Sequence, residues 1–304
     1  MNWFFIALLS TLCFSTISHI DKYLISRYLR HSGVGALMLF SALFGAVVLP
    51  VIFLINKNVF SLSLSSALWL VTVGILSFLA IFFYFKALTY ADASTAIPFF
   101  QLIPVFGFGL GFIFLRETIP WQSIIAGLVI IIGVLILSFE KKSGQPIIFK
   151  RQMVWLMAGS SFTYALYEII FKIIAIQETF WASLFWQNVG LLLAGLFLYF
   201  FITSYRQDFH NLLRDNWSRV IGLNLINEVL NTVAVSLIQY ASLLAPIVLV
   251  LMVNSLQPVL VFLIGILLTL FLPKISKENL TKQTLLQKSI AITIVLVGSY
   301  FLYF

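Results

Sequence analysis

Ten apolar stretches, each about as long as a bilayer is thick, constrain this chain more than any other feature. They fall at roughly 3–20, 34–55, 67–90, 94–115, 120–139, 153–175, 181–203, 219–240, 244–272 and 286–304. Of all residues 62% are apolar and 9% charged, whereas a soluble domain is about 25% charged. That balance fits lipid as the solvent. In lipid every backbone N–H and C=O must be satisfied within the protein, so only helices or a closed barrel span it. The apolar runs are long and do not alternate with period two, which argues against barrel strands. The expected fold class is therefore an all-α membrane protein with ten transmembrane helices.

One motif is written twice. Between Lys86 and Leu137 an apolar segment ends near Tyr90 and a short polar turn follows at Ala91–Ser94. Next comes a helix with Pro98, Pro104, Gly107, Gly109 and Gly111, and then a charged stop at Arg116-Glu117. The Gly107/Gly111 pair is a GxxxG spacing, a close-packing face. A weaker copy runs from Gln239-Tyr240-Ala241 through Gln257-Pro258 to a basic loop at Lys274–Lys288. The polar link Glu140–Arg151, with Gly144 and Pro146, separates two halves, 1–140 and 150–304. Lys22 then matches Lys172 and Ser18 matches Glu168 at an offset of 150, while Pro104 matches Pro258 at an offset of 154. Five spans per half is an odd number, so the second half enters the membrane upside down. The expectation is two inverted five-helix repeats, an arrangement that places a substrate site between the halves near mid-membrane.

The net charge of +8 lies between the spans, where it sets topology and meets anionic headgroups; it is not read as nucleic-acid binding. Numbered from the N-terminus, odd loops hold 15 Lys and Arg and even loops 3. The positive-inside rule puts the odd loops in the cytoplasm and both termini outside. The start, MNWFF, has no basic stretch ahead of the apolar run, so the first segment is expected to stay as a span. Cys13 is the single cysteine, which excludes an internal disulfide. The expected location is the inner or plasma membrane, crossed many times.

The most informative single helix is the eighth apolar segment. Asn224, Asn227, Glu228 and Asn231 are spaced i, i+3, i+4, i+7 and share one face. A mid-span carboxyl is costly and should face the bundle interior or water. Two readings stand side by side: a polar seam between helices, or a cavity wall that binds substrate or a proton. Glu168 and Lys172 form an i,i+4 pair; Lys172 reads as snorkelling to the interface, with Glu168 deeper. Gln101 with Pro104, and Asn254 with Gln257 and Pro258, sit at near-symmetric places and suggest a shared central site. Ser15 and Ser18 are candidates for the same cavity, as are the aromatics Tyr84, Tyr164, Tyr167 and Trp186.

Enzyme signatures are missing. His19, His31 and His210 are scattered, and no GxxxxGK phosphate loop occurs. No metal or other cofactor is expected. The sequons at Asn216 and Asn279 read as chance matches on the cytoplasmic side.

The stretch ALTYADASTAIPFFQLIPVFGFGLGFIFLRETI, followed by a Gly-punctuated helix ending GVLIL, resembles the EamA domain of the drug/metabolite transporter superfamily. Pro104 and Glu117 occupy the family's mid-span proline and helix-end acidic positions, and Lys22 and Lys172 the basic ends of each repeat's first helix. The resemblance spans the chain as two repeats. It is weaker in the second, where Glu278 lies in the basic loop KISKENLTKQ. It implies ten spans, no ATP hydrolysis, and movement of amino acids, other small metabolites or drugs, often outward. It also implies cytoplasmic termini, against the charge count. The expectation is a secondary active transporter, an exporter or exchanger, binding a small molecule through Asn224, Asn227, Glu228, Asn231, Gln101, Asn254, Gln257, Glu168 and Tyr84. A proton is the candidate coupling ion and a homodimer the candidate assembly. The alternative is a non-transporting receptor or scaffold, or a lipid-modifying enzyme.

Overall fold

A computed structural model describes residues 2–28, 35–88, 90, 97–138, 151–215 and 217–271, with 286, 289–290, 293–294, 296–298 and 300–301 beyond. The turn at 91–96, the link at 140–150, the loop with Glu278, the sequons' asparagines and much of the tenth apolar segment lie outside the described residues.

Among the described residues the regular structure is helical, with no strand. The helices are α1 (Trp3–Tyr28), α2 (Gly35–Ile55), α3 (Leu64–Leu88), α4 (Leu102–Leu110), α5 (Trp121–Ser138), α6 (Arg151–Ala175) and α7 (Phe180–Phe201). They continue with α8 (Thr203–Asp215), α9 (Trp217–Leu244), α10 (Ile247–Asn254) and α11 (Gln257–Phe271). Among the described residues seven helical stretches are long and apolar enough to cross a membrane, and two shorter apolar ones cover Phe99–Leu115 and Trp121–Gly133. The chain is thus a multi-pass, all-helical membrane protein. Large apolar side chains such as Phe112, Ile113, Trp155 and Phe201 point outward, where lipid is a favourable solvent.

Hydroxyl side chains inside the spans bond to backbone. Thr11 Oγ1 donates to Ala7 O at 2.8 Å and Ser15 Oγ to Thr11 O at 2.7 Å. Buried serines also tie helices together. Ser10 Oγ on α1 donates to Ala234 O on α9 at 2.7 Å, and Ser160 Oγ on α6 donates to Ala80 O on α3 at 2.8 Å. Glycines set the closest crossing. A Cβ on Gly74 of α3 would lie 2.0 Å from Gln187 O, and one on Gly190 of α7 would lie 2.0 Å from Val71 O. Backbone meets backbone there, and nothing larger than hydrogen fits.

The sequence reading expects two prolines bending one continuous helix at 94–115. Instead the helix changes type along its length. A 3-10 turn at Ile97–Gln101 holds Pro98, α4 follows with Pro104 in its first turn, and a π turn covers Gly111–Leu115. A proline in a first turn removes no needed N–H, which is why the 3-10 turn gives way to α-helix there. The second half has a comparable irregularity between α10 and α11, with Pro258 the second residue of α11. The GxxxG face meets α10: a Cβ on Gly107 would strike Leu251 Cδ1 at 2.6 Å, and one on Gly111 would lie 3.3 Å from Ile247.

Candidate substrate-binding cavity

These two proline-bearing segments line a cavity of about 230 Å³ inside the bundle. Gln101 and Pro104 come from the first, and Asn254, Ser255, Gln257 and Pro258 from the second. The polar face of α9 forms another wall, through Asn227, Glu228 and Asn231. Tyr84 of α3 and the tyrosines Tyr164 and Tyr167 of α6 supply the aromatic lining. Glu228 lies roughly midway along α9, so the cavity sits deep in the apolar layer.

Hydrogen bonds fix several of these groups. Ser41 Oγ on α2 donates to Glu228 Oε1, and Asn231 bonds to the same carboxyl. Asn227 Nδ2 donates to Asp21 Oδ1 of α1 at 2.8 Å. Gln257 Nε2 donates to Ser18 Oγ at 3.1 Å. Gln239 Nε2 donates to Gln187 Oε1 at 2.9 Å, joining α9 to α7. These bonds hold the side chains at set angles, while Asn227 Oδ1, Gln101 Oε1 and Asn254 Oδ1 receive no protein donor.

Of the nine residues expected from the sequence to bind substrate, seven line this cavity: Asn227, Glu228, Asn231, Gln101, Asn254, Gln257 and Tyr84. Asn224 and Glu168 do not. Asn224 is buried elsewhere on α9, and Glu168 is buried with its Oε1 unbonded and its carboxyl beside Tyr167. Ser18 lines the cavity; Ser15 instead bonds to Thr11 O and Gln257 O. Trp186 turns away, its Nε1 donating to Val59 O at 2.8 Å.

Asp21, Ser41, Gln187 and Asn188 also line the cavity and are not among the residues singled out from the sequence. Asp21 stands beside Lys22 and reads as part of an interfacial cluster. The signal that marks it is helical spacing, since Phe14, Ser18 and Asp21 share one face of α1.

Lys172 does not pair with Glu168, nor does it snorkel. Its side chain is 7% exposed and forms a salt bridge with Glu117, which is 13% exposed. Lys172 Nζ also donates to Ala245 O at 2.7 Å, and Ile247 N donates to Glu117 Oε2 at 2.8 Å. The cause is local backbone. Arg116 adopts the left-handed conformation (φ 52°) and ends the π turn, so that Glu117 turns inward while Arg116 stays exposed. The carboxylate then meets the first turn of α10, a position favoured by unpaired N–H groups.

No curated protein sequence matches the chain. One solved crystal structure of a protein is similar over 99% of this chain and 98% of its own, with a TM-score of 0.67 at 15% identity; at that identity the likeness is one of fold. Residues 1–139 match the model of the EamA-like transporter family, a similarity that covers the first half of the chain.

Proposed function

We propose that this protein is a secondary active transporter of the inner or plasma membrane that moves a small metabolite, amino acid or drug-like solute by alternating access. The observation that carries the reading is the cavity itself: polar, deep in the apolar layer, and lined by proline-bearing segments at corresponding places in the two halves. Transporters of repeated architecture place the substrate site at the repeat interface near mid-membrane. The EamA-like match over residues 1–139 supports the same class.

The finer architecture is ten spans in two inverted five-helix repeats, 1–140 and 150–304. Two contacts support it. Ser10 and Ser160 are 150 residues apart, and their acceptors Ala234 and Ala80 are 154 apart. Exchanging the halves turns one bond into the other, and the offsets are those that relate Lys22 to Lys172 and Pro104 to Pro258. On this register Gly74 is the counterpart of Glu228. Gly74 brings α3 and α7 into backbone contact, whereas Glu228 reaches across to Ser41 of α2. One crossing is tight, and the other carries a polar group facing a cavity. Such unlike counterparts are what an inverted repeat shows when it rests in one of its two end states.

Glu228 is the proposed coupling-proton site, and the export or exchange direction follows the family expectation. The test is counterflow in proteoliposomes loaded with a complex metabolite mixture, with mass spectrometry of the species that exchange. A discrete exchanging set is expected; folded protein that exchanges nothing overturns the reading. Glu228→Gln should abolish accumulation driven by a pH gradient and leave exchange at saturating substrate. Unchanged pH-driven accumulation in that variant removes the coupling role.

A further inference from the structure

The cavity's charge is one-sided. Asp21 and Glu228 both line it, and no Lys, Arg or His does among the described residues. The partners of these carboxyls are neutral: the Asn227 amide for Asp21, and the Ser41 hydroxyl and Asn231 amide for Glu228. The two acids are near enough to act on each other electrostatically. Lys172 is engaged by Glu117 and Ala245 O, and His19 by Val261 O at 2.8 Å. Neither side chain lines the cavity.

The neutral lining adds acceptors. Asn227 and Gln101 are 6% and 4% exposed, and no protein donor reaches Asn227 Oδ1 or Gln101 Oε1. Asn227 has committed its amide nitrogen to Asp21, which leaves its oxygen for something else. Buried acceptors of this kind call for a donor. The aromatic lining adds to this. Tyr84 and Phe100 both line the cavity, with ring centroids 5.0 Å apart, and aromatic faces attract cations. The volume, about 230 Å³, falls below the range of about 300–1,000 Å³ of drug-sized sites, so the ligand is small.

We propose that the cavity takes a small organic cation, a protonated amine or guanidinium on a short apolar or aromatic body, with Asp21 and Glu228 as its counter-charges. This rests on the transport-cavity reading and names the ligand class of that site. The amine's N–H groups meet the two carboxyls and the Asn227 and Gln101 oxygens. The apolar body lies against Tyr84 and Phe100.

The test is thermal unfolding of the purified full chain in detergent, titrated with phenethylammonium, 1,4-diaminobutane and agmatine. Matched 2-phenylethanol and 3-phenylpropanoate are the controls. At least one cation should raise the midpoint saturably, and the alcohol and carboxylate should not. Asp21→Asn should weaken that cation about tenfold or more, the scale of one lost charged contact. The exchange Asp21→Asn with Asn227→Asp returns a carboxyl to the cavity and should recover most of the loss. If Asp21→Asn fails to fold, Glu228→Gln reads the same contact. Equal stabilisation by the matched alcohol or carboxylate, or no shift with any of the three cations, overturns the assignment. Counterflow of the stabilising cation separates this proposal from the transport reading. Binding without flux keeps the ligand class and rejects transport; flux of neutral or anionic solutes without cation binding does the reverse.

Discussion

Two buried groups of charge in this protein obey opposite rules. The Lys172–Glu117 pair is balanced: each charge faces the other, and their remaining valences go to Ala245 O and the N–H of Ile247. Asp21 and Glu228 carry charge of one sign and have neutral partners. Charge that serves the fold is paired inside it, since an unpaired buried ion is expensive. Charge left without a counter-ion in a cavity is paired by what the cavity takes up. On the proposed reading, the difference separates a structural tie from a binding site.

The largest effect comes from breaking the balanced pair. Lys172→Met should remove about 3–5 kcal/mol of stability by leaving the Glu117 carboxylate buried and alone. Unfolding in mixed micelles reads this. A loss under about 1 kcal/mol would mean that Glu117 is hydrated and the pair is not a structural tie. Adding Glu117→Gln to Lys172→Met should return most of the loss, because no lone charge is then left. If the double variant is as unstable as the single one, packing of the lysine stem and not charge is what Lys172 supplies.

The cavity pair should respond the other way. Asp21→Asn and Glu228→Gln keep shape and hydrogen-bonding capacity, so each should shift stability by no more than about 1 kcal/mol, or raise it, because like charges are being removed. The same variants should lose function: Asp21→Asn should weaken counterflow below saturating substrate, and Glu228→Gln should lose accumulation driven by a pH gradient. A variant that loses several kcal/mol of stability and still transports like the wild type would reverse the comparison and make the cavity carboxyls structural.

Most of this was readable in the sequence, and the unread part has a common cause. Spans follow from local hydropathy, and the α9 face follows from i, i+3, i+4 spacing, so Asn227, Glu228 and Asn231 could be placed together from residue order alone. Gln101 and Gln257 came from comparing the two halves. Asp21 was not singled out because its position depends on Asn227, 206 residues away. The Lys172–Glu117 tie depends on a left-handed residue at 116 that no local pattern demands. Helix α8 lay hidden in what reads as a loop, since its charged residues mask the Tyr205 and Phe209 pair that packs into the core beside α2. Tertiary partners decide all three.

The smallest expected effect tests whether charge or merely position distinguishes the two clusters. Ser10 and Ser160 are uncharged counterparts making the same bond, at 2.7 and 2.8 Å, in the two halves. Hydrogen bonds between membrane helices average about 0.6 kcal/mol, so Ser10→Ala and Ser160→Ala should each cost about that much. Their two values should agree within error in the same unfolding assay. Equal costs would mean that the halves are energetically alike wherever their side chains are alike, so that the contrast between Gly74 and Glu228 is a property of those residues. Clearly unequal costs would mean that the two helix pairs are loaded differently in this conformation. The tightness of the α3–α7 crossing would then belong to the state of the bundle and not to its glycines.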